Sequence, residues 1–599
     1  MSRIRSKVTQ TKWRLINPLH ELFPSTTIAE HPDSGDLHIR SCKRGEWTLP
    51  CAERKTLGAF YTDTRVADFL VWWAVRTGTE TVLDPCFGGG VFLRSACERL
   101  QSLGGNPGSQ VFGVEIDPYV HDRVSKELLD EYPIITRNLI RADFFAIKRD
   151  MFPAPNVIVG NPPFIRYQLF TGGIREAALN SAAEQGVSLS RLCSSWAPFL
   201  VHSVAHLQPG GRLAMVVPAE IGHATYARPV VLYLKRSFRT ITLLTFRKRL
   251  FPGLSEDTFL LLAEDKGCPH EGMHWRDLDH VEQLSEMKMM LAPSDLEGIS
   301  AGNGGPALGE FRMAERFIPT RAQELYMKLK RLSCVRKLGE LADVGIGYVT
   351  GSNEFFHLSA GMTEKYRIPL DLLRPVVRRG RDLVGIRYTA DDWRDAKARG
   401  EAVYLLDLRP DRPLPDQARW YIRQGELAGI HRAYKCRTRS PWYCVPHVYQ
   451  PDAFLSYMSG DCPRMVSNGA GAVAPNTLHV VRLKGKHGIT GDDLAVSWQT
   501  SLTMLSCEIE GHSLGGGMLK LEPGEARNVL VPLLNKDEIG EIGNKIDALQ
   551  RCGQKEEARK LADRCILQEK LGLSEEDIRV LREARNILFE RRTVRRLKG

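Results

Sequence analysis

Apolar residues in the first half of this chain fall in short runs that end on an acid, a glycine or a proline. Thr81-Val82-Leu83 runs into Asp84, and Val111-Phe112-Gly113-Val114 into Glu115, Ile116 and Asp117. Asn138-Leu139-Ile140 leads to Asp143, and Val157-Ile158-Val159 to Gly160. Runs of this length bounded by turn residues predict buried strands. Val91-Phe92-Leu93-Arg94, after a glycine-rich turn, predicts a helix start. His202 to Gly211 reads as a helix end and a turn, and Arg212 to Pro218 as another buried strand. Ile241–Phe246 and Thr258–Ala263 read as the last two strands, forming a hairpin. The pattern predicts an α/β fold: a mixed, mostly parallel sheet with helices on both faces. Ligands are then expected at the C-terminal ends of the strands.

The turn after Gly160 is Asn161-Pro162-Pro163-Phe164. Two prolines fix φ and remove two N–H donors. Backbone carbonyls and the Asn161 side-chain oxygen remain as acceptors, and Phe164 offers a flat ring for a flat substrate. Two acceptors can hold the hydrogens of an exocyclic amine and aim its lone pair at a methyl donor. A strand-ending turn followed by a hydrophobic residue is the plainer reading. Asp84-Pro85-Cys86-Phe87-Gly88-Gly89-Gly90 is a second turn, whose glycines let backbone pass close to a nucleoside. It lacks the G-x-G-x-x-G order of a dinucleotide site. A strand-end acid such as Glu115 can accept both ribose hydroxyls. Asp143 can accept from an adenine amino group, with Ile116 and Phe144 packing the ring. Such acids also simply cap the following helix.

Composition narrows the class. A chain of 599 residues predicts several domains, and a net charge of +11 favours a polyanionic partner. No apolar run approaches a membrane span, and no signal peptide is evident, so a cytoplasmic place is expected. The thirteen cysteines are scattered without C-x-x-C, which suggests a reducing compartment. His431, Cys436, Cys444 and His447 are too irregularly spaced to predict zinc, and no metal is expected.

Residues from about Leu57 to Glu264 resemble the gamma-class, TaqI-like N6-adenine DNA methyltransferases of restriction-modification systems. The resemblance rests on the glycine turn, the strand-end acids, the Asn-Pro-Pro-Phe turn and the Leu57-Gly58-Ala59-Phe60-Tyr61-Thr62 motif. It implies a Rossmann-like class I methyltransferase domain using S-adenosylmethionine. Tyr61 and Thr62 would lie near the donor's carboxylate, and Asp84, Pro85, Cys86, Gly88 and Gly90 would shape its methionine pocket. Glu115 and Ile116 would hold ribose and adenine, with Asp143, Phe144 and Phe199 completing the adenine pocket. Asn161, Pro162, Pro163 and Phe164 would form the catalytic turn, and Phe251 would pack on the flipped base beside Phe164. Tyr is commoner in the family where Phe164 stands, but stacking needs no hydroxyl. Donor motifs first, catalytic turn next and a long C-terminal region last imply adenine N6 rather than cytosine N4.

The resemblance continues, more loosely, into an α+β target-recognition domain through Leu341–Phe356, Leu373–Leu383, Pro475–Val481 and Gly515–Pro523. The expected divisions are an N-terminal extension (1–55), a catalytic domain (56–266), a linker (267–314), a recognition domain (315–535) and a helical tail (536–599). Residues 421–450 hold five Lys or Arg and one acid, interleaved with aromatics. Arg378, Arg379, Arg381, Arg432, Lys435, Arg437 and Arg439 are candidate contacts to double-stranded DNA. The tail carries an apolar stripe of Ile566, Leu571, Ile578, Leu581, Ile587 and Leu588 and a basic end from Arg591, read as clasping DNA, supporting the recognition domain, pairing with a partner helix or simply packing on its own domain. A monomer is expected, with room for a separate cognate restriction endonuclease. Competing readings are a fused restriction-modification enzyme, an RNA or protein-amide methyltransferase, and a non-catalytic DNA-binding subunit. The first lacks a convincing nuclease motif, and the second has no evident need of a recognition domain.

Overall fold

Strands buried on both faces form the centre of the sheet in the first half of the chain. The computed structural model describes residues 62–134, 136–222, 224–248, 250–251, 257–292, 312–485, 488–514, 517–533 and 539–593. The N-terminal extension, Tyr61, the 301–306 stretch, Gly515-Gly516 and the arginines beyond Thr593 lie outside them. The strands are β1 (Val82–Asp84), β2 (Val111–Glu115), β3 (Leu139–Arg141), β4 (Val157–Gly160), β5 (Arg212–Pro218), β6 (Phe238–Phe246), β7 (Thr258–Lys266) and β8 (Gly272–Leu278). They form one sheet in the order β3-β2-β1-β4-β5-β7-β6-β8. β1 to β5 run parallel, and β7 lies antiparallel between β5 and β6.

The longer helices in this half are α1 (Thr64–Ala74), α2 (Val91–Ser102), α3 (Pro118–Glu131), α4 (Gly172–Glu184), α5 (Trp196–His206), α6 (Arg228–Ser237) and α7 (Gln283–Met290). α1, α2, α3 and α7 cover one face, and α4, α5 and α6 the other. β5 shows why its sequence is a continuous apolar run. Leu213, Met215 and Val217 enter one core while Ala214 and Val216 enter the other.

The expected linker differs. It opens with β8, which pairs in parallel with β6, and with α7 on the same sheet. In β8 only Leu278 is buried, so this edge strand carries no apolar run to announce it.

The C-terminal half has further cores. A five-stranded sheet runs Ala342–Ile346, Leu478–Leu483, Ala453–Ser456, Met465–Asn468, Arg387–Tyr388. It packs with α8 (Ser501–Glu510) and α9 (Glu575–Thr593) around Trp498. Another core gathers Phe356, Leu405 and Tyr421. Ile566, Ile578, Leu581 and Leu588 of the predicted stripe are buried with the sheet, whereas Ile587 is exposed. Among the described residues no helix is long and apolar enough to cross a membrane.

Two arginines of the basic end turn inward. Arg592 is buried and grips Glu508 through Nε and Nη2, each at 2.8 Å. Arg591 reaches Asp277 on β8 at 2.5 and 2.6 Å and lies over Phe317, 3.6 Å from its ring centre. These two side chains join α9 to its surroundings and are not free for phosphate. Burial already pushes the Glu508 carboxyl up, so removing its partner strands a buried acid. Arg592→Ala is expected to cost about 3–5 kcal/mol of unfolding free energy, read by urea denaturation. A loss below about 1 kcal/mol would place the pair in solvent.

Candidate functional site

Parallel pairing of β1 with β4, Val82 opposite Val157 and Leu83 opposite Ile158, brings their C-terminal turns to one edge. The glycine turn leaves β1 and the Asn-Pro-Pro-Phe turn leaves β4. A Cβ added to Gly160 would sit 3.0 Å from Asp84 Oδ1, so the two strand ends nearly touch. Cys86 Sγ donates to the Asn161 carbonyl at 3.3 Å. Asn161 Nδ2 donates to Thr62 Oγ1 at 3.2 Å. Thr62, Asp84, Cys86 and Asn161 are thereby brought together. Burial pushes the Cys86 thiol well up, which suits packing rather than nucleophilic work.

Gly88 and Gly90 hold φ of 45° and 76°, a region that disfavours side chains. Gly88 N–H donates to Glu115 Oε2 and Asp117 N–H to Glu115 Oε1, both at 2.9 Å. The Glu115 carboxylate thus braces the glycine turn from the end of β2. Asp117 caps α3, and Asp143 Oδ1 accepts from Phe145 N–H at 3.0 Å. Capping does not use every lone pair of these acids. Ile116 is 51% exposed beside them. Phe144 is buried with its ring centre 5.0 Å from that of Phe199 on α5. Glu115 ends β2 and Ile116 follows it, while Asp143 and Phe144 follow β3, on the same sheet edge as the glycine turn.

Two buried oxygens define the chemistry. Asp84 is fully buried, and its Oδ1 accepts from Cys86 N–H at 3.1 Å while Oδ2 has no partner. Burial pushes its carboxyl up to about 8; the Cys86 N–H opposes this and the Glu115 charge adds to it. Burial likewise raises Glu115 and Asp143. Asn161 Oδ1 is also buried without a partner. Such atoms are few in native proteins. The Asn161 oxygen suits a ligand that brings an N–H donor, while Asp84, protonated below about pH 8, can itself donate from Oδ2. Phe164 and Phe251 are half-buried against the same core, one after the turn and one after β6.

Three supporting residues carry no sequence motif. Arg94 Nη1 holds the Gly89 carbonyl at 2.9 Å while pairing with Glu127 and Glu131 of α3. His202 bonds the Phe144 carbonyl through Nε2 at 3.0 Å and stands edge-on to its ring. Burial, with His206 nearby, lowers His202 to about 4, so it is a neutral prop. Ser195 Oγ accepts from Ile165 N–H at 2.9 Å and donates to the Pro163 carbonyl.

Two of the four stretches that resemble a recognition domain meet: Ala342–Ile346 pairs with Leu478–Leu483. Arg379 and Arg381 are exposed, while Arg378 is half-buried. Arg432, Lys435 and Arg437 are exposed. Lys435 and Arg437 each lie 5.5 Å from the ring centre of Tyr434, which is 64% exposed. Arg439, expected at the same face, turns inward instead. Its guanidinium donates to the carbonyls of Lys435 (2.7 Å), Cys444 (3.2 Å) and Thr350. A charge count cannot tell an arginine that braces its own loop from one that faces solvent.

Asp84 has a consequence for pH. Folded, it keeps its proton to about pH 8; unfolded, it ionises near 3.8. The folded state binds the extra proton between those values. That contribution to stability is whole below the lower value and is lost as pH rises through the higher. Unfolding free energy should fall less between about pH 5 and 8 in Asp84→Asn than in the parent chain. Equal slopes would contradict the assignment.

Two family profiles match the chain: N-6 DNA Methylase over residues 49–225, and the C-terminal domain of type II methyltransferase M.Eco57I over residues 312–567. Type II methyltransferase M.AccI of Acinetobacter calcoaceticus is 22% identical over 513 residues, spanning 83% of this chain and 90% of its own length. Type II methyltransferase M.HindII of Haemophilus influenzae is 22% identical over 321 residues, 51% of this chain and 56% of its own. The structure of the type IIL restriction-modification enzyme MmeI in complex with DNA aligns with a TM-score of 0.53 at 12% identity. It covers 90% of this chain and 80% of that one, a likeness of fold. The first half of the chain thus matches an N-6 DNA Methylase domain and the second half the C-terminal domain of an M.Eco57I-type methyltransferase, and the chain is similar to type II DNA methyltransferases along most of its length.

Proposed function

We propose that this enzyme methylates N6 of an adenine swung out of duplex DNA, using S-adenosylmethionine bound along the edge formed by β1, β2 and β3. The observation that carries the reading is the buried, unpartnered Asn161 Oδ1, held beside the glycine turn by Thr62 and Cys86. S-adenosylmethionine supplies an electrophilic methyl group on a sulfonium. Asp84, Pro85, Cys86, Gly88 and Gly90, with Thr62 and Tyr61, would hold its methionine part. Glu115 would accept from ribose, and Asp143, Ile116, Phe144 and Phe199 would hold its adenine.

Unstacking the target base is offset by stacking on Phe164 and contact with Phe251, since base–aromatic stacking is worth roughly 1–3 kcal/mol. Asn161 Oδ1 and the Pro162 carbonyl accept from the two N6 hydrogens. Asn161 is fixed by Thr62 and Cys86 before the base arrives and the two prolines restrict the turn, so the acceptors draw the lone pair out of the ring plane with little reorganisation. Positive charge growing on N6 meets the same oxygens. Positioning does most of the work. Tyr434 with Lys435, Arg437 and Arg432 supplies phosphate contacts and an aromatic face, with Arg378, Arg379 and Arg381 as further contacts.

Asn161→Ala should lower methyl transfer to duplex DNA by at least about 100-fold while donor affinity persists. Radiolabel transfer and calorimetry measure the two, and near-normal turnover would remove Asn161 from the chemistry. Lys435→Ala and Arg437→Ala should each reduce the slope of log affinity against log salt by about 1. An unchanged slope would take that face off the DNA.

A further inference from the structure

The Asn-Pro-Pro-Phe turn has a holding problem of its own making. Pro162 and Pro163 lack N–H groups, so only carbonyls and the amides after them can anchor the backbone. Ser195, 2% exposed at the start of α5, meets that need three times. Its Oγ donates to the Pro163 carbonyl and accepts from Ile165 N–H at 2.9 Å. Its own N–H donates to the Ile165 carbonyl at 3.0 Å. These bonds fall on the residues either side of Phe164 and so fix the backbone that carries the ring.

Ser195 occupies the cap position of α5 but makes no side-chain bond to its own helix. A serine there ordinarily satisfies a helix N–H; here the hydroxyl is committed to the turn. The Ser195 carbonyl meanwhile accepts from Phe199 N–H at 3.2 Å. Phe199 packs on Phe144 and Phe145, with ring centres at 5.0 and 5.8 Å. One residue therefore bonds the acceptor-side turn through its side chain and amide, and through its carbonyl the backbone N–H of Phe199, whose ring packs on the aromatic cluster.

We propose that Ser195 is a positioning residue that clamps Phe164 and sets the acceptor turn against the aromatic cluster of α5. The kinetic part rests on the methyl-transfer reading above; the clamp itself does not. The test compares full-length Ser195→Ala, Ser195→Thr and Asn161→Ala with the parent enzyme. In Ser195→Ala, hydrogen-exchange protection of the Ile165 amide should fall at least about tenfold while that of α5 beyond Phe199 stays unchanged. Single-turnover transfer should fall about 10–100-fold, with KM for the donor changed less than about threefold, the signature of misplaced rather than missing binding groups. Ser195→Thr, which keeps the hydroxyl, should recover most of both. Unaltered Ile165 protection, or a transfer rate within about twofold of the parent while Asn161→Ala is inactive, would overturn the proposal. A fully active Asn161→Ala would instead count against the catalytic turn, leaving the exchange measurement to decide the clamp.

Discussion

Everything at the site depends on two parallel strands being neighbours. β1 and β4 are separated in sequence by two helix-bearing crossovers and β2 and β3, yet they pair directly. A parallel pair puts both C-terminal ends on one side, so the turn after Asp84 and the turn after Gly160 open together. The absence of a side chain at Gly160 lets them close to contact. The Cys86 thiol and the Thr62 hydroxyl then fasten Asn161 from the glycine-turn side. Ser195 fastens Pro163 and Ile165 from the α5 side. The acceptor oxygen of Asn161 is left buried and unused between these fastenings. That combination is costly to build and suits a group whose role is to receive a hydrogen bond from something that arrives.

The C-terminal half is tied to this sheet by charge as well as packing. β8 adds the sheet's last strand, and its Asp277 is held by Arg591 of α9, the helix that shares a core with the five-stranded sheet. Arg591 and the paired hydroxyl of Thr245 keep the Asp277 carboxyl below its usual range although burial opposes them. Arg316 lies over Trp275 of the same strand. Under the proposed function, base reading and methyl transfer would fall on one bound duplex, which a fixed relation between the two halves would serve.

What the sequence made legible follows from how each signal is written. Strands buried on both faces show as apolar runs, which is why β1, β2, β4, β5, β6 and β7 are readable. Turn chemistry is local, so Asp84, the glycines and Asn161 stand out without knowledge of the fold. β8 is an exposed edge strand with a mixed sequence, and nothing in its pattern separates it from a loop. Ser195, His202 and Arg94 act through partners 30 to 58 residues away or through backbone carbonyls, which no spacing rule encodes. The arginines are the instructive case. Arg437, Arg439, Arg591 and Arg592 look alike in a charge count, yet Arg437 faces solvent beside Tyr434 and the other three are engaged by carbonyls or carboxylates.

The most direct test is base-resolved methylation of genomic DNA from a methyl-free host that expresses this chain. The account predicts N6-methyladenine at a single short sequence motif and no other modified base. Soluble, donor-binding protein that leaves the genome without methyladenine, or that modifies cytosine N4 instead, would contradict it.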